Sequence, residues 1–418
     1  MLHRTSRVVT NLTLVLLVLA ATTLTPARAR THAAPLTLTW EDYYSGCPTN
    51  AQCAALNTMI KEYEATHPGV TIKRTTVAFP DLLQKVLQQA ATRTLPDVLI
   101  LNNLMIPNVA ESGVLADLGP YVKGWAALKD YYKSSLSTAT WKGKLYGIPI
   151  GNNNLALMYN LKMLKAAGIG HPPTTWAELR ADARKLTHGQ VYGFGFSANA
   201  SDESPWQFEP FFWANGGDLT HVADKPGVEA LQLWVNLVKD GSVPKSVLTW
   251  GQTEVENQFI AGNLAMMEMG PWVLSDLVKT KDLQFGITLL PRKTASMPPA
   301  SPMGGEVWTV PASTLQRQRA AWDVVRWTQD PSRIIALDTL FAYLSAYAPA
   351  NRTMVEHNHL LRTFADLLPH SRFTADRFGT KYPQVSQALW KAIQDTLTGR
   401  QSVQQALQIA QSTIASLP

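Results

Sequence analysis

The sequence predicts an α/β chain folded as two lobes. Three observations predict it: strand-like and helix-like segments alternate, 46% of the residues are apolar, and 418 residues exceed what one hydrophobic core usually serves. The alternation begins at 36–40, where apolar and polar residues take turns as in a strand. Asp42-Tyr43-Tyr44-Ser45-Gly46 breaks that pattern as a loop, and 54–66 carries apolar residues at helical spacing until His67-Pro68-Gly69 stops it. A second strand follows at 70–77, a helix at 81–92, and a short apolar run at 96–101 bounded by turn residues, as in a buried parallel strand. This is a βαβαβ beginning. Further helices are expected at 161–167, 176–185, 228–239, 254–261 and 319–327, with strands near 192–196, 264–268 and 285–289. From about 355 onward the pattern is almost entirely helical, clearest at 387–397 and 403–415. No repeat and no long linker interrupts the chain, so the lobes are expected to be joined by tight crossings.

The first residues set the compartment. Arg4 and Arg7 precede an apolar run over 8–24, and Ala27-Arg28-Ala29 follows as an A-x-A pattern, which is the layout of a secretory signal peptide over 1–34. Thr10, Asn11 and Thr13 interrupt the run, and it is short for a span of about 20 apolar residues, so cleavage near Ala29, with Ala34 as the alternative, is expected over a retained anchor. Losing Arg4, Arg7, Arg28 and Arg30 lowers the formal charge from +6 to +2. A mature chain of so little charge, without a Lys/Arg cluster, lacks the footprint of a nucleic-acid binder. Cys47 and Cys53 are the only cysteines, and an oxidising compartment makes a short-loop disulfide the expectation. A zinc site would need more N/S ligands than these two thiols, and no metal or cofactor is expected.

No catalytic or nucleotide-binding signature is present: no G-x-S-x-G, H-E-x-x-H, Walker loop or G-x-G-x-x-G. Gly193-Phe194-Gly195 is explained equally well by a strand end. A glycosidase would need two facing carboxylates, for which Asp42, Glu209, Glu268 and Glu306 are conceivable but unpaired by anything in the sequence. What stands out is aromatic residues in expected loops: Tyr43-Tyr44, Trp206, Phe211-Phe212-Trp213, Trp250, Trp272, Trp308 and Tyr347. Asparagines accompany them, at Asn102-Asn103 ending a strand and at Asn152-Asn153-Asn154. Sugars need both, because the C–H face of a pyranose rests on an aromatic ring while its hydroxyls pair with amides and carboxylates. In an open α/β sheet the ligand crevice lies beyond the carboxyl ends of strands, where Tyr43-Tyr44 and Asn103 are expected.

Several stations along the chain carry a family resemblance. They are Thr39-Trp40 through Tyr44, His67-Pro68-Gly69-Val70, Pro96-Asp97-Val98, Leu145-Tyr146-Gly147-Ile148-Pro149 and Ala214-Asn215-Gly216-Gly217. The most telling are the stretch from Phe259 to Met266, Gly270-Pro271-Trp272, and Phe285-Gly286-Ile287; Gly304-Gly305 and Ala348-Pro349-Ala350 close the series. In order and spacing the chain resembles the extracellular solute-binding proteins of sugar ABC transporters (family 1), over essentially its whole mature length.

The resemblance implies a two-lobed, type II-like periplasmic-binding-protein fold with three hinge crossings, expected near 151–154, 290–293 and 328–330, and a helical C-terminal segment. Lobe 1 would hold 35–151 plus 292–330 and lobe 2 would hold 152–291 plus 331–418. It further implies a monomer that captures a neutral mono- or oligosaccharide by hinge closure and delivers it to permease subunits, without catalysis. By position, Asn153 stands where the family often has a carboxylate, Trp206 where it has an aromatic platform and Trp272 where it has its stacking tryptophan. Tyr43, Tyr44, Asn103, Trp250, Gly305, Glu306 and Tyr347 are assigned to the same site. Around 101–105 the aromatic and charged groups of the maltose-binding members are missing, which argues against maltose as the cargo. The missing cleft cations argue against an anionic ligand, with Arg352 as the one residue that could reverse this. A peptide, a polyamine or a glycerol phosphodiester on the same fold, or a secreted glycosidase, are the rival readings.

Overall fold

The computed structural model describes residues 35–417, so the signal-like segment lies outside the described residues. The expected βαβαβ start is present. Strands Leu36–Asp42, Val70–Thr76 and Val98–Asn102 are parallel, with Leu36–Asp42 in the middle. Between them run helices Ala51–Thr66 and Phe79–Thr92. Asn50 starts the first by accepting the Cys53 amide at 2.8 Å. Strand Glu306–Thr309 joins antiparallel to Val98–Asn102, and Gly147–Pro149 follows it, completing a five-stranded sheet. Its two faces are buried separately. Trp40, Ile100 and Trp308 meet helices Ala51–Thr66 and Leu315–Thr328 on one side, while Leu99, Leu101 and Val307 meet Leu82 and Val86 on the other.

The second lobe has a smaller sheet of three antiparallel strands, Phe285–Thr288, Ala156–Asn160 and Met266–Met269. The strand expected near 192–196 is only two single bridges, Tyr192 with Leu264 and Gly195 with Met267. One face of this sheet carries helices Glu203–Ala214, Lys225–Lys239, Tyr382–Leu397 and Val403–Ala415; the other carries Phe259, Leu274 and Phe364. Ser402 and Gln405 form a capping box at the start of the last helix, so the expected helical C-terminus is in place.

Three stretches pass between the lobes, and two fall later than expected. The first is at 150–153, where 151–154 was expected. The Arg292 carbonyl, at the second expected crossing, still accepts the Trp176 amide at 2.8 Å, and Lys293 pairs with Glu229 at 2.7 Å. The chain reaches the five-stranded sheet only at 303–306. Helix Pro331–Phe341, expected in lobe 2, buries Ile334, Leu337 and Phe341 in the core of the first lobe. The third passage is Leu344–Ser345, paired antiparallel with Gly151–Asn152. An amphipathic helix shows which of its faces is buried but not which sheet buries it, so the sequence misplaced these boundaries.

Candidate ligand site

The aromatic residues are positioned differently from the sequence reading. Phe211, Phe212 and Trp213 lie on helix Glu203–Ala214 and fill core, and Trp308 is fully buried in the central sheet. Trp206 is also on that helix, in its first turn.

Tyr43 and Tyr44 leave the carboxyl end of Leu36–Asp42 with their rings stacked at 4.5 Å. The Tyr43 hydroxyl donates to Glu306, and the Tyr44 hydroxyl lies 2.9 Å from that of Tyr343. Asn102 Nδ2 approaches the same Glu306 carboxyl at 3.5 Å. Burial and the Glu306 charge push all three tyrosines well above their usual range, so they remain hydroxyl donors. Burial raises Glu306, and the surrounding hydroxyls and Asn102 pull against it.

From this wall the cluster continues across the lobe boundary. Asn103 donates its amide to Met303 O at 3.2 Å and its backbone N–H to Gly305 O at 2.9 Å. Asn153 and Gly304 exchange backbone hydrogen bonds at 3.0 and 2.9 Å. A Cβ on Gly304 would lie 2.2 Å from Asn153 Oδ1 and 3.0 Å from the Trp206 ring, so amide, chain and indole touch here. Trp206 in turn lies 5.9 Å from Trp272, centroid to centroid, at 43°. Trp272 rests against the cores of both lobes, and its carbonyl accepts Gln52 Nε2 of the first lobe at 3.4 Å.

Three buried polar atoms in this cluster have no partner: Asn103 Oδ1, Glu306 Oε2 and Trp206 Nε1. An unpaired buried group carries a desolvation penalty of about 1–3 kcal/mol, which a ligand group of the opposite kind would relieve. Two accept and one donates.

The other assigned residues are placed elsewhere. Trp250 lies between the two cores of the second lobe, its carbonyl taking the Ser197 hydroxyl at 2.8 Å. Tyr347 lies 5.3 Å from Tyr131 in the first lobe. Among the described residues no hydrogen bond or ring contact joins either one to the cluster. Asn152 and Asn154 are occupied in the crossing, by the Ser135 hydroxyl at 2.9 Å and the Phe364 carbonyl at 2.9 Å. Tyr343 was missed, since nothing in the helical pattern before it tells that the chain returns to Tyr44. Cys47 and Cys53 are bonded.

The carboxylates weighed for hydrolysis do not face one another. Asp42 is paired with Arg74 at 2.6 Å, and Glu209 is enclosed by Thr374 and Tyr382 in the second lobe. Two surface recesses, of about 450 and 190 Å³, lie away from the cluster. In the larger, Arg326 and Arg333 already cover Trp125 and Trp327 at 4.5 and 3.8 Å, so its aromatic faces are taken.

Glu268 is a separate matter. Fully buried on strand Met266–Met269, it has both carboxyl oxygens unpaired, and burial pushes it well above the carboxylate range. The folded chain thus holds a proton that the unfolded chain releases above about pH 4.3, and stability falls as pH rises from there towards the raised folded value. Glu268→Gln should therefore melt higher than the parent at pH 8, with the gap closing towards pH 4. A gap that stays constant across that pH range would contradict this.

Two α/β bodies linked by three paired crossings, with Tyr43 and Tyr44 of one and Trp206 and Trp272 of the other beside the 303–306 crossing, define a hinged, two-lobed ligand-binding protein. Comparison with known proteins identifies the family. A model described as bacterial extracellular solute-binding protein matches residues 58–360, and the chain belongs to that family. A putative binding protein of Brucella abortus is 27% identical over 335 residues, 75% of this chain and 78% of its own. Among solved structures, the cyclic α-maltosyl-1,6-maltose binding protein of Arthrobacter globiformis aligns with a TM-score of 0.73 at 26% identity, over 91% of this chain and 98% of that one. Maltose-bound T. maritima MalE3 aligns with a TM-score of 0.82 at 19% identity, over 91% and 100%. The family binds solutes and does not catalyse. Among the described residues no helix is long and apolar enough to cross a membrane.

Proposed function

We propose that this chain is an extracytoplasmic sugar-binding protein. It captures a neutral mono- or oligosaccharide between its lobes, closes on it and delivers it as a monomer to the permease subunits of an ABC importer. The signal segment is removed near Ala29. The observation that carries this reading is the chemistry of the seam: the stacked Tyr43-Tyr44 wall of one lobe, Trp206 and Trp272 of the other, and the three unpaired polar atoms among them. A sugar offers apolar ring faces to the aromatics and hydroxyls that both donate and accept. Phosphate or carboxylate oxygens only accept, and would leave Asn103 Oδ1 and Glu306 Oε2 opposed to their own kind. The cluster includes no lysine or arginine to answer an anion. Its ligand residues are Tyr43, Tyr44, Asn103, Asn153, Trp206, Trp272, Gly305 and Glu306, joined by Tyr343. The Arthrobacter protein, named for a cyclic maltosyl-maltose, supports an oligosaccharide cargo.

The test is a melting-temperature screen with maltose, maltotriose, trehalose, cellobiose, xylobiose and tagatose, alongside spermidine, glycerophosphocholine and a short peptide mixture. At 100 times Kd a true ligand adds about 2.7 kcal/mol of stability, several degrees for a chain of this size. A shift only with a non-sugar would replace the cargo class. Reducing ends appearing from an oligosaccharide would return the chain to hydrolysis.

A further inference from the structure

We infer that Arg74 positions the Tyr43-Tyr44 wall, and that the Cys47–Cys53 bridge influences ligand affinity through Arg74. This rests on the reading of that wall as part of the sugar site.

Arg74 lies on strand Val70–Thr76 in register with Trp40, and its side chain reaches Asp42. All five of its N–H donors have a partner. Nε gives to Asp42 Oδ2 at 2.6 Å, and Nη2 gives to Asp42 Oδ1 at 2.6 Å and to the Tyr44 carbonyl at 2.5 Å. Nη1 reaches Asn57 Oδ1 at 3.0 Å and Cys53 Sγ at 3.2 Å, with Cys47 Sγ further off at 3.9 Å. Asn57 Nδ2 meets Cys47 Sγ at 3.1 Å. Asp42 closes the circuit by accepting the Tyr44 amide at 2.8 Å. The turn that aims both tyrosines is therefore gripped at its amide, through Asp42, and at its carbonyl, while the same guanidinium leans on the disulfide and on helix Ala51–Thr66.

Lysine can keep the charge beside Asp42, but it cannot hold a bidentate carboxylate, a carbonyl and a sulfur in one plane. Asp42 is fully buried and Arg74 nearly so, so deleting the charge risks the fold, whereas Arg74→Lys removes the fork and keeps a cation. The bridge acts from the other side: with Cys47→Ser and Cys53→Ser the 47–53 loop loosens and one of the five supports is lost.

A double-mutant cycle on the full chain separates this from ordinary destabilisation. Affinity is measured by calorimetry for whichever neutral sugar of the screen raises the melting temperature most. Arg74→Lys should weaken binding about tenfold, the Cys47→Ser/Cys53→Ser pair about threefold, and the triple variant no more than Arg74→Lys alone. The melting temperature of the unliganded triple variant should instead fall below that of Arg74→Lys, because losing the bridge also frees the unfolded chain. Trp272→Ala is the control for the site itself. If Trp272→Ala weakens binding and Arg74→Lys does not, or if the two losses of affinity multiply, the role of Arg74 is wrong and the sugar site stands. If no neutral sugar raises the melting temperature, or Trp272→Ala leaves affinity intact, the site reading falls and this inference with it.

Discussion

Replacing Trp272 by alanine should weaken sugar binding about 100-fold, or about 2.7 kcal/mol, while changing the melting temperature of the unliganded protein by only a few degrees. The large term arises because buried tryptophans at the centre of an interface are the residues most often found to cost 2 kcal/mol or more when truncated. Trp272 holds that central place: it is 5.9 Å from Trp206, it touches the cores of both lobes, and its carbonyl receives Gln52 from the opposite lobe. The small term arises because its ring is only partly buried against protein. Trp250→Ala, at a tryptophan that no contact joins to the cluster, should leave affinity within about threefold. Fluorescence titration of the two variants decides it. Equal losses at both positions would mean that the aromatic residues act through general stability rather than through contact with the ligand.

Gly305→Ala should be strongly damaging although it adds only one methyl group. Gly305 has φ +148, a conformation that L side chains rarely adopt, and a Cβ there would lie 2.1 Å from the Gly151 carbonyl oxygen. That oxygen belongs to the neighbouring crossing, so relief requires backbone to move in the hinge. A loss of roughly 4 kcal/mol, or a fall of about 5 °C in melting temperature, is expected from strain and overlap together. Gly170→Ala, where a Cβ would meet nothing within 4 Å, is the matched control and should stay within about 0.5 kcal/mol of the parent. Calorimetric melting of both variants is the check. A Gly305→Ala protein that melts like the parent would show that the crossings are far more yielding than their hydrogen bonding indicates.

The parts of this molecule that could be read from the sequence are those governed by local chemistry. Strand Leu36–Asp42 shows its alternation and helix Trp176–Leu186 its apolar spacing. What stayed hidden depends on partners distant in the chain. Helix Pro331–Phe341 covers the first lobe because Ala51–Thr66 offers it a face, which its own period does not record. Tyr343 meets Tyr44, 299 positions away, hydroxyl to hydroxyl. Asn152 and Asn154 look identical to Asn153 in sequence, yet their amides are occupied by Ser135 and Phe364, and only tertiary geometry divides the three. Trp206 was read as a loop residue because Pro205 and Pro210 disguise helix Glu203–Ala214, whose packing outweighs the unfavourable propensity.

The three crossings are bonded to one another side by side. Residues 147–153 run antiparallel to 304–309 on one flank, and Gly151–Asn152 pairs with Leu344–Ser345 on the other. A laced ribbon of this kind resists stretching and sliding, since either would break several hydrogen bonds together, but it bends about its own line. The lobes are then left with essentially one mechanical degree of freedom, like the boards of a book on a sewn spine. Entry, capture and escape must all use that single coordinate. Substitutions in the walls can change what is held without changing the path by which it is held, whereas a stiffer or looser spine would alter dwell times for every cargo alike.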